Sequence, residues 1–255
     1  MNYLKHNLEY LQSILHNSEL YPVIKANAYG HGLKQIAQEI DKTNIKGVCI
    51  ATVNELQDLI NLKVKYSILH MGRIDFSEIA LYNNNNVIAT INSMDDLDKI
   101  SKFCSDRFFF RVHIKVDTGM TRMGCSIDEF DGILTECLKI NNLSLEGIYS
   151  HLANSDSNNA SLNQTQINSF LKIIEKTKKQ KNNNIKFHIL NSGGLFNYGN
   201  YKYDLVRTGL SIYGISPLGI HNHNLKPVME FKAPVILKKN INELEKNPND
   251  VVNIR

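Results

Sequence analysis

The sequence predicts an α/β fold, a parallel sheet closing as a (β/α)8 barrel, and three observations carry that reading. Apolar strand-like runs alternate with helical patterns from Val23 to Ile212, about eight in number, which is the count that closes such a barrel. The chain has 255 residues and 42% hydrophobic content, enough to bury one large core. The unusual polar residues also fall where strands finish: Lys25, His70, Lys115 with Asp117, His151, Asn191 with Ser192, and Arg207. In a barrel chemistry sits at the C-terminal strand ends, so these residues should surround one pocket. An open doubly wound sheet is the alternative, but "ANAYGHG" after the first strand is not its G-x-G-x-x-G fingerprint.

The elements follow from periodicity. Leu4, Leu8, Leu11 and Leu15 recur at helical spacing and lead into a strand at Pro22, Val23 and Ile24. Leu33, Ile36, Ala37 and Ile40 repeat the helical pattern, followed by a strand at Gly47–Thr52 and a helix at Val53–Leu62. A strand at Tyr66–Gly72 precedes a short helix around Phe76–Leu81. Asn86–Ile91 is the next strand, and Ser93 caps a helix with Asp95 and Asp96 in its first turn. Arg107–Gly119 is strand-like, rich in β-branched and aromatic residues, and Ser126 caps a helix through Leu138. Leu145–Ala153 is a strand, followed by a helix with Ile167, Leu171 and Ile174 as its core stripe. Phe187–Gly194 and Tyr203–Gly214 complete the series.

Composition excludes several classes. A net charge of +4, spread over many lysines and acids, makes no basic stripe, so nucleic acid and membrane surfaces are not expected partners. The nine histidines lack metal-ligand spacing, and no metal site is expected. The four cysteines are far apart and read as reduced, mostly buried thiols of a cytoplasmic protein. No apolar run approaches a membrane span. The asparagine runs at 83–86 and 182–184 read as turns.

The stretch "YPVIKANAYGHG", Tyr21 to Gly32, carries the sharpest chemistry. Lys25 follows an apolar strand. Such a lysine is either a strand end whose head escapes to water, or an amine held in a pocket and able to form a Schiff base with a carbonyl. Ala26, Asn27, Ala28 and Gly30 leave space for a bound group, and Tyr29 puts a phenolic donor on its floor. "NSGG" at Asn191–Gly194 and "TGL" at Thr208–Leu210 follow the last two strands, where barrels build phosphate sites; alone, these glycines would read as tight turns. Arg207 ends the final strand between apolar neighbours, and a guanidinium there needs an anion or an acceptor.

"VIKANAYGHG", "KVDTGMTRMG" at Lys115–Gly124 and "VRTG" resemble the motifs of alanine racemase, a family that uses pyridoxal 5'-phosphate (PLP) to interconvert L- and D-alanine. The resemblance implies that Lys25 carries the cofactor covalently and serves as base on the D-face of the substrate. It also implies that Tyr29, Ser192, Gly209 and Leu210 bind the phosphate beside Asn191, and that Arg207 meets the pyridine nitrogen. His151 then orients Arg207. Arg122 meets the PLP phenolate oxygen or the substrate carboxylate, and Lys115 is the lysine that can be carbamylated. Asp117 reads as a turn and network residue. Thr208 stands where the family has proline.

The resemblance covers the barrel part of the family. It implies a division into a barrel over residues 1–226 and the start of a C-terminal β-domain over 227–255, where "VMEFKAPVIL" resembles that domain's first strand. In the family the L-face base is a tyrosine of that domain, supplied by the partner subunit of a homodimer. No tyrosine follows Tyr213 here. Racemisation of alanine, supplying D-alanine for peptidoglycan, is the expected activity, impaired in this chain by the missing base. A non-catalytic PLP-binding barrel concerned with cofactor handling is the alternative, and an inactive scaffold without cofactor a third.

Overall fold

The structure, a computed structural model, describes residues 2–15, 17–104, 108–157, 160–180, 184–219 and 222–238. Eight parallel strands are present: β1 Glu19–Pro22, β2 Gly47–Ile50, β3 Ser67–His70, β4 Val87–Ile91, β5 Phe110–Lys115, β6 Leu143–Tyr149, β7 Lys186–His188 and β8 Leu205–Thr208. β2 to β7 pair in sequence order and β1 pairs with β8. Two seams close the ring. Ile24 N donates to Cys49 O at 2.9 Å beside a Val23–Cys49 bridge, and Arg207 N donates to Leu190 O at 3.0 Å. The barrel expectation is met, and the open sheet is excluded because every strand has a neighbour on both sides.

Helices wrap the outside, and their polar ends are handled locally. Thr52 and Glu55 form a capping box on helix Val53–Asn61, Ser93 caps Met94–Ser101, and Ser126 with Glu129 caps Ile127–Cys137. The main apolar core lies between these helices and the outer face of the barrel. On the long helix Ala160–Lys179 the buried stripe runs through Ile167, Phe170 and Ile173, while Leu171 and Ile174 pack on its flank. The stripe expected from Ile167, Leu171 and Ile174 is thus rotated, because the side chains lean toward the preceding turn.

The barrel interior is mixed. A small apolar cluster of Tyr21, Val23, Cys49, Leu69, Ile88 and Leu205 fills one side. Opposite, β5 alternates Phe110, Val112 and Ile114 with Arg111, His113 and Lys115. Arg111 forks onto Glu146 at 2.6 and 2.7 Å, and Lys186 pairs with Glu19 at 2.8 Å. His113 sits in room that only a glycine leaves, since a Cβ on Gly147 would lie 2.6 Å from its ring.

Helix Asn2–Ile14 plugs the chain onto its later turns through a buried amide. Asn7 Nδ2 donates to Ile212 O and Lys226 O, and Asn7 Oδ1 accepts from Lys226 N at 2.8 Å. Beyond that anchor, residues 229–238 form no strand. Phe231 is 95% and Ile236 93% exposed. A strand was expected here, but a ladder needs a neighbour, and none of the described residues pairs with this segment.

Candidate active site

Lys115 on β5 and Arg207 on β8, with Lys25 in the turn after β1 and Arg122 in the loop after β5, meet at one cavity of about 540 Å³. That volume falls within the roughly 300–1,000 Å³ of small-molecule sites. Tyr29, His151, Asn191, Ser192, Gly209 and Leu210 line the same cavity, so all ten residues singled out from the sequence converge. Two of the strand-end residues do not. His70 is buried behind the barrel, bonded to Tyr82 Oη at 3.0 Å and to Ala51 O at 3.2 Å. Asp117 turns back to accept from the amides of Gly119, Met120 and Thr121. The expectation of a single ring of polar side chains fails at these two: alternation along β3 turns His70 to the outer face, and Asp117, beyond the end of β5, is taken up by the turn amides.

Lys25 stands at the entrance to an unusual turn. Ala26, Asn27, Ala28 and Tyr29 all have φ between 52° and 54°, a left-handed turn closed by Gly30 at φ 86°. For side chains with a Cβ this costs roughly 1–2 kcal/mol per residue. Several contacts offset it. Ala26 N donates to Glu55 Oε1 at 2.6 Å, Asn27 Oδ1 accepts from Leu33 N at 2.8 Å, and Ala28 is fully buried. Tyr29 lies against Gly209, where a Cβ would stand 2.5 Å from its hydroxyl, and near Tyr213, whose other neighbour is the stacked ring of His31. Gly209→Ala should therefore displace Tyr29 and destabilise the chain by about 1–3 kcal/mol. Thermal unfolding checks this, with Tyr29→Phe in the same chain recovering part of the loss.

At the closed end, Asn191 caps the helix Ser192–Tyr198 through Gly194 N at 2.9 Å and also accepts from Ser155 Oγ at 2.6 Å. Ser192 Oγ accepts from Gly209 N at 3.1 Å and from Ser211 N at 3.4 Å. The hydroxyl of Ser211 is buried without a partner among the described residues. Amides, hydroxyls and glycines thus gather at one helix start, a cradle suited to a small anion.

Arg207 is 2% exposed and lies 4.9 Å over the ring of Tyr149. Its Nη2 donates to Ser150 O at 2.6 Å and reaches His151 Nδ1 at 3.5 Å, and its Nη1 donates to His188 Nδ1. A guanidinium has only donors, so His188 Nδ1 accepts, and its Nε2–H donates to His113 Nδ1 at 3.0 Å. Burial and the Arg207 charge hold His188 well below the usual histidine range and bring His151 to about 3, while burial, then Arg111 and Arg207, bring His113 to about 3. Burial, then Arg207 and Arg122, lowers Lys115 to about 8. Among the described residues none of the four cations has a carboxylate within 4.0 Å. A cavity walled by unpaired cations is built for an anionic ligand.

Sequence reasoning missed three members of this arrangement: Tyr149, His188 and His113. The available signal was the i, i+2 run of polar residues at Arg111, His113 and Lys115, and at Lys186 and His188, inside otherwise apolar strands. No cluster of three or more His, Cys, Asp or Glu able to hold a metal occurs among the described residues, and no helix among them is long and apolar enough to cross a membrane.

Residues 1–217 match the family model described as alanine racemase, N-terminal domain. Alanine racemase of Borreliella burgdorferi is 34% identical over 253 residues, covering 96% of this chain and 67% of the relative. That of Coxiella burnetii is 31% identical over 247 residues, covering 93% and 65%. The chain thus spans about two thirds of the length of these relatives. Among solved structures, alanine racemase from Clostridium difficile 630 in complex with cycloserine superposes with a TM-score of 0.81 at 25% identity, covering 89% of this chain and 64% of that one. The Bartonella henselae enzyme with covalently bound pyridoxal phosphate gives 0.78 at 26%, covering 89% and 65%. Motifs, barrel and cavity agree with these matches, and the chain belongs to the alanine racemase family through its N-terminal domain.

Proposed function

We propose that this chain is the cofactor-holding barrel of an alanine racemase, binding PLP on Lys25 and moving the Cα proton of alanine. One observation carries the reading: Lys25, Lys115, Arg122 and Arg207 line a single cavity in which Asp156 also stands, none of the four has a carboxylate within 4.0 Å among the described residues, and a glycine- and hydroxyl-rich helix start lies beside them. PLP brings a dianionic phosphate and a phenolate, and the substrate brings a carboxylate, so the charges of ligand and wall are complementary. When bound, PLP supplies the sink for the electron pair left as the Cα–H bond breaks.

The protein's residues divide the remaining tasks. Ser192, the amides of Gly209 and Leu210, and the hydroxyl of Tyr29 hold the phosphate, with Asn191 fixing the helix start behind them. Arg207 would donate to the ring nitrogen. Its fixed charge also keeps a proton off that nitrogen, and His151 and His188, both neutral, orient it. Arg122 meets the phenolate oxygen or the substrate carboxylate in a charge-assisted contact. Lys115, whose proton leaves near pH 8, is the amine that carbamylation would turn into an anion between these cations.

Once the substrate's amine has displaced it from the cofactor, Lys25 Nζ would be free to take the Cα proton of D-alanine on one face. The opposite face requires a tyrosine that lies outside this barrel, consistent with a division at residues 1–226 and 227–255. The alternative of a non-catalytic PLP barrel gives no role to Arg122 and Lys115 in the cavity wall.

Borohydride reduction of the PLP-loaded chain followed by peptide mapping should label Lys25, and Lys25→Ala should abolish the label. With deuterated solvent, D-alanine should exchange its Cα proton without yielding L-alanine. Labelling at another lysine overturns the reading, and a cofactor that binds without any exchange favours the non-catalytic alternative.

A further inference from the structure

We infer that Glu55 is a positioning residue for Lys25, acting through the amide that follows it. In an ordinary capping box, the glutamate spends one oxygen on the N-cap amide. Glu55 Oε2 does this, accepting from Thr52 N at 3.1 Å and from Ala51 N at 2.9 Å. Its other oxygen is spent elsewhere: Oε1 accepts from Ala26 N at 2.6 Å, 29 residues back along the chain. Glu55 as a residue is 9% exposed, so these contacts are largely shielded from water.

That amide opens the left-handed turn of Ala26 to Tyr29, and Lys25 is the last residue before the backbone changes hand. Ala26 itself is exposed, and its carbonyl accepts from Gly30 N at 3.1 Å inside the turn. A strained conformation persists only where its surroundings over-determine it. The Glu55 clamp fixes the start of the turn, as the Asn27 to Leu33 contact fixes its end. The direction of the Lys25 side chain is therefore set from the β2–helix connection, and Glu55 reaches Lys25 through Ala26 rather than touching a ligand.

The inference rests on the reading of Lys25 as the PLP lysine, and the test separates the two. Glu55→Gln keeps one acceptor oxygen for the cap but turns an amide N–H₂ toward Ala26 N–H. Thr52→Ala removes the cap hydroxyl and keeps the clamp. In the unliganded full chain, Glu55→Gln should speed amide exchange in the peptide covering residues 24–32 about tenfold or more, the size expected for losing a hydrogen bond to a charged acceptor. It should slow attachment of added PLP to Lys25, followed by absorbance and borohydride mapping, by about the same factor. Thr52→Ala should lower the thermal midpoint with neither effect. Adding Ala26→Gly to Glu55→Gln removes the left-handed penalty and should restore most of the attachment rate.

Unchanged exchange in Glu55→Gln, or equal effects in Thr52→Ala, overturns the inference. If Glu55→Gln does not fold alone, the double variant decides: recovered folding and attachment support the clamp, and failure to recover overturns it. If PLP attaches nowhere in the unmodified chain, the cofactor reading fails, and the exchange comparison still judges the clamp.

Discussion

Lowering the pH of the unliganded chain from 7 to about 4.5 should unfold it, driven by buried imidazoles, His113 and His188 inside the barrel with His151 at its mouth, rather than by its surface acids. His113 and His188 are 2% and 0% exposed, hydrogen-bonded to each other, and faced by Arg207, Arg111, Lys186 and the ring of Tyr149. Burial, then these cations, hold both below the ordinary value of 6.5, with His113 near 3. The unfolded chain therefore binds more protons than the folded one in this window. The stability is fully present above pH 6.5 and is lost as pH falls toward about 3. An imidazole held near 3 contributes a slope of about 1.4 kcal/mol per pH unit, so His113 alone costs about 3 kcal/mol over two units and His188, lowered in the same direction, adds to it, within reach of the whole stability of a domain. Circular dichroism against pH, with denaturant midpoints at each value, checks this. His113→Gln should lower the slope by about one proton's worth, and a stability that is flat between pH 6.5 and 4.5 would contradict the account.

This sensitivity shows why part of the molecule was legible in sequence and part was not. The strand and helix order could be read because apolar periodicity and caps at Ser93 and Ser126 are local signals. The ten cavity residues could be found because barrels place chemistry at strand ends and three motifs pointed to a family. His70 and Asp117 were misplaced because a strand-end position does not say which way the side chain turns. His188 and Tyr149 were missed for the converse reason: they act from inside the barrel, one or more strands away from the residue they hold. Nothing in "KANAY" announces four left-handed residues, since alanine and tyrosine seldom adopt that backbone. The contact that offsets the strain, Glu55 on Ala26, spans 29 residues, although the T-x-x-E pattern of its capping box was there to be seen.

Replacing Arg207 by Met should produce the largest functional loss outside Lys25, and a split response elsewhere. Methionine restores much of the volume and removes a desolvated charge, which favours the variant. It also leaves Ser150 O and His188 Nδ1 without their donor, and each buried orphan costs about 1–3 kcal/mol. Two orphans outweigh the relief, so the unliganded variant should lose stability at pH 7. At the same time the Arg207 charge, after burial, lowers the basicity of His188, His151 and Lys115. Without it all three should titrate nearer their ordinary values. The acid transition should then become shallower, and Lys115 should react more slowly with acylating reagents at pH 8. On the proposed reading of Arg207 as the donor at the ring nitrogen, the variant should lower exchange of the D-alanine Cα proton about 100-fold or more, the usual cost of removing one preorganised donor. A packing role alone predicts the stability loss without the change in Lys115 reactivity. That reagent comparison therefore distinguishes Arg207 as the charge that sets the cavity's electrostatics from Arg207 as filler between β7 and Tyr149.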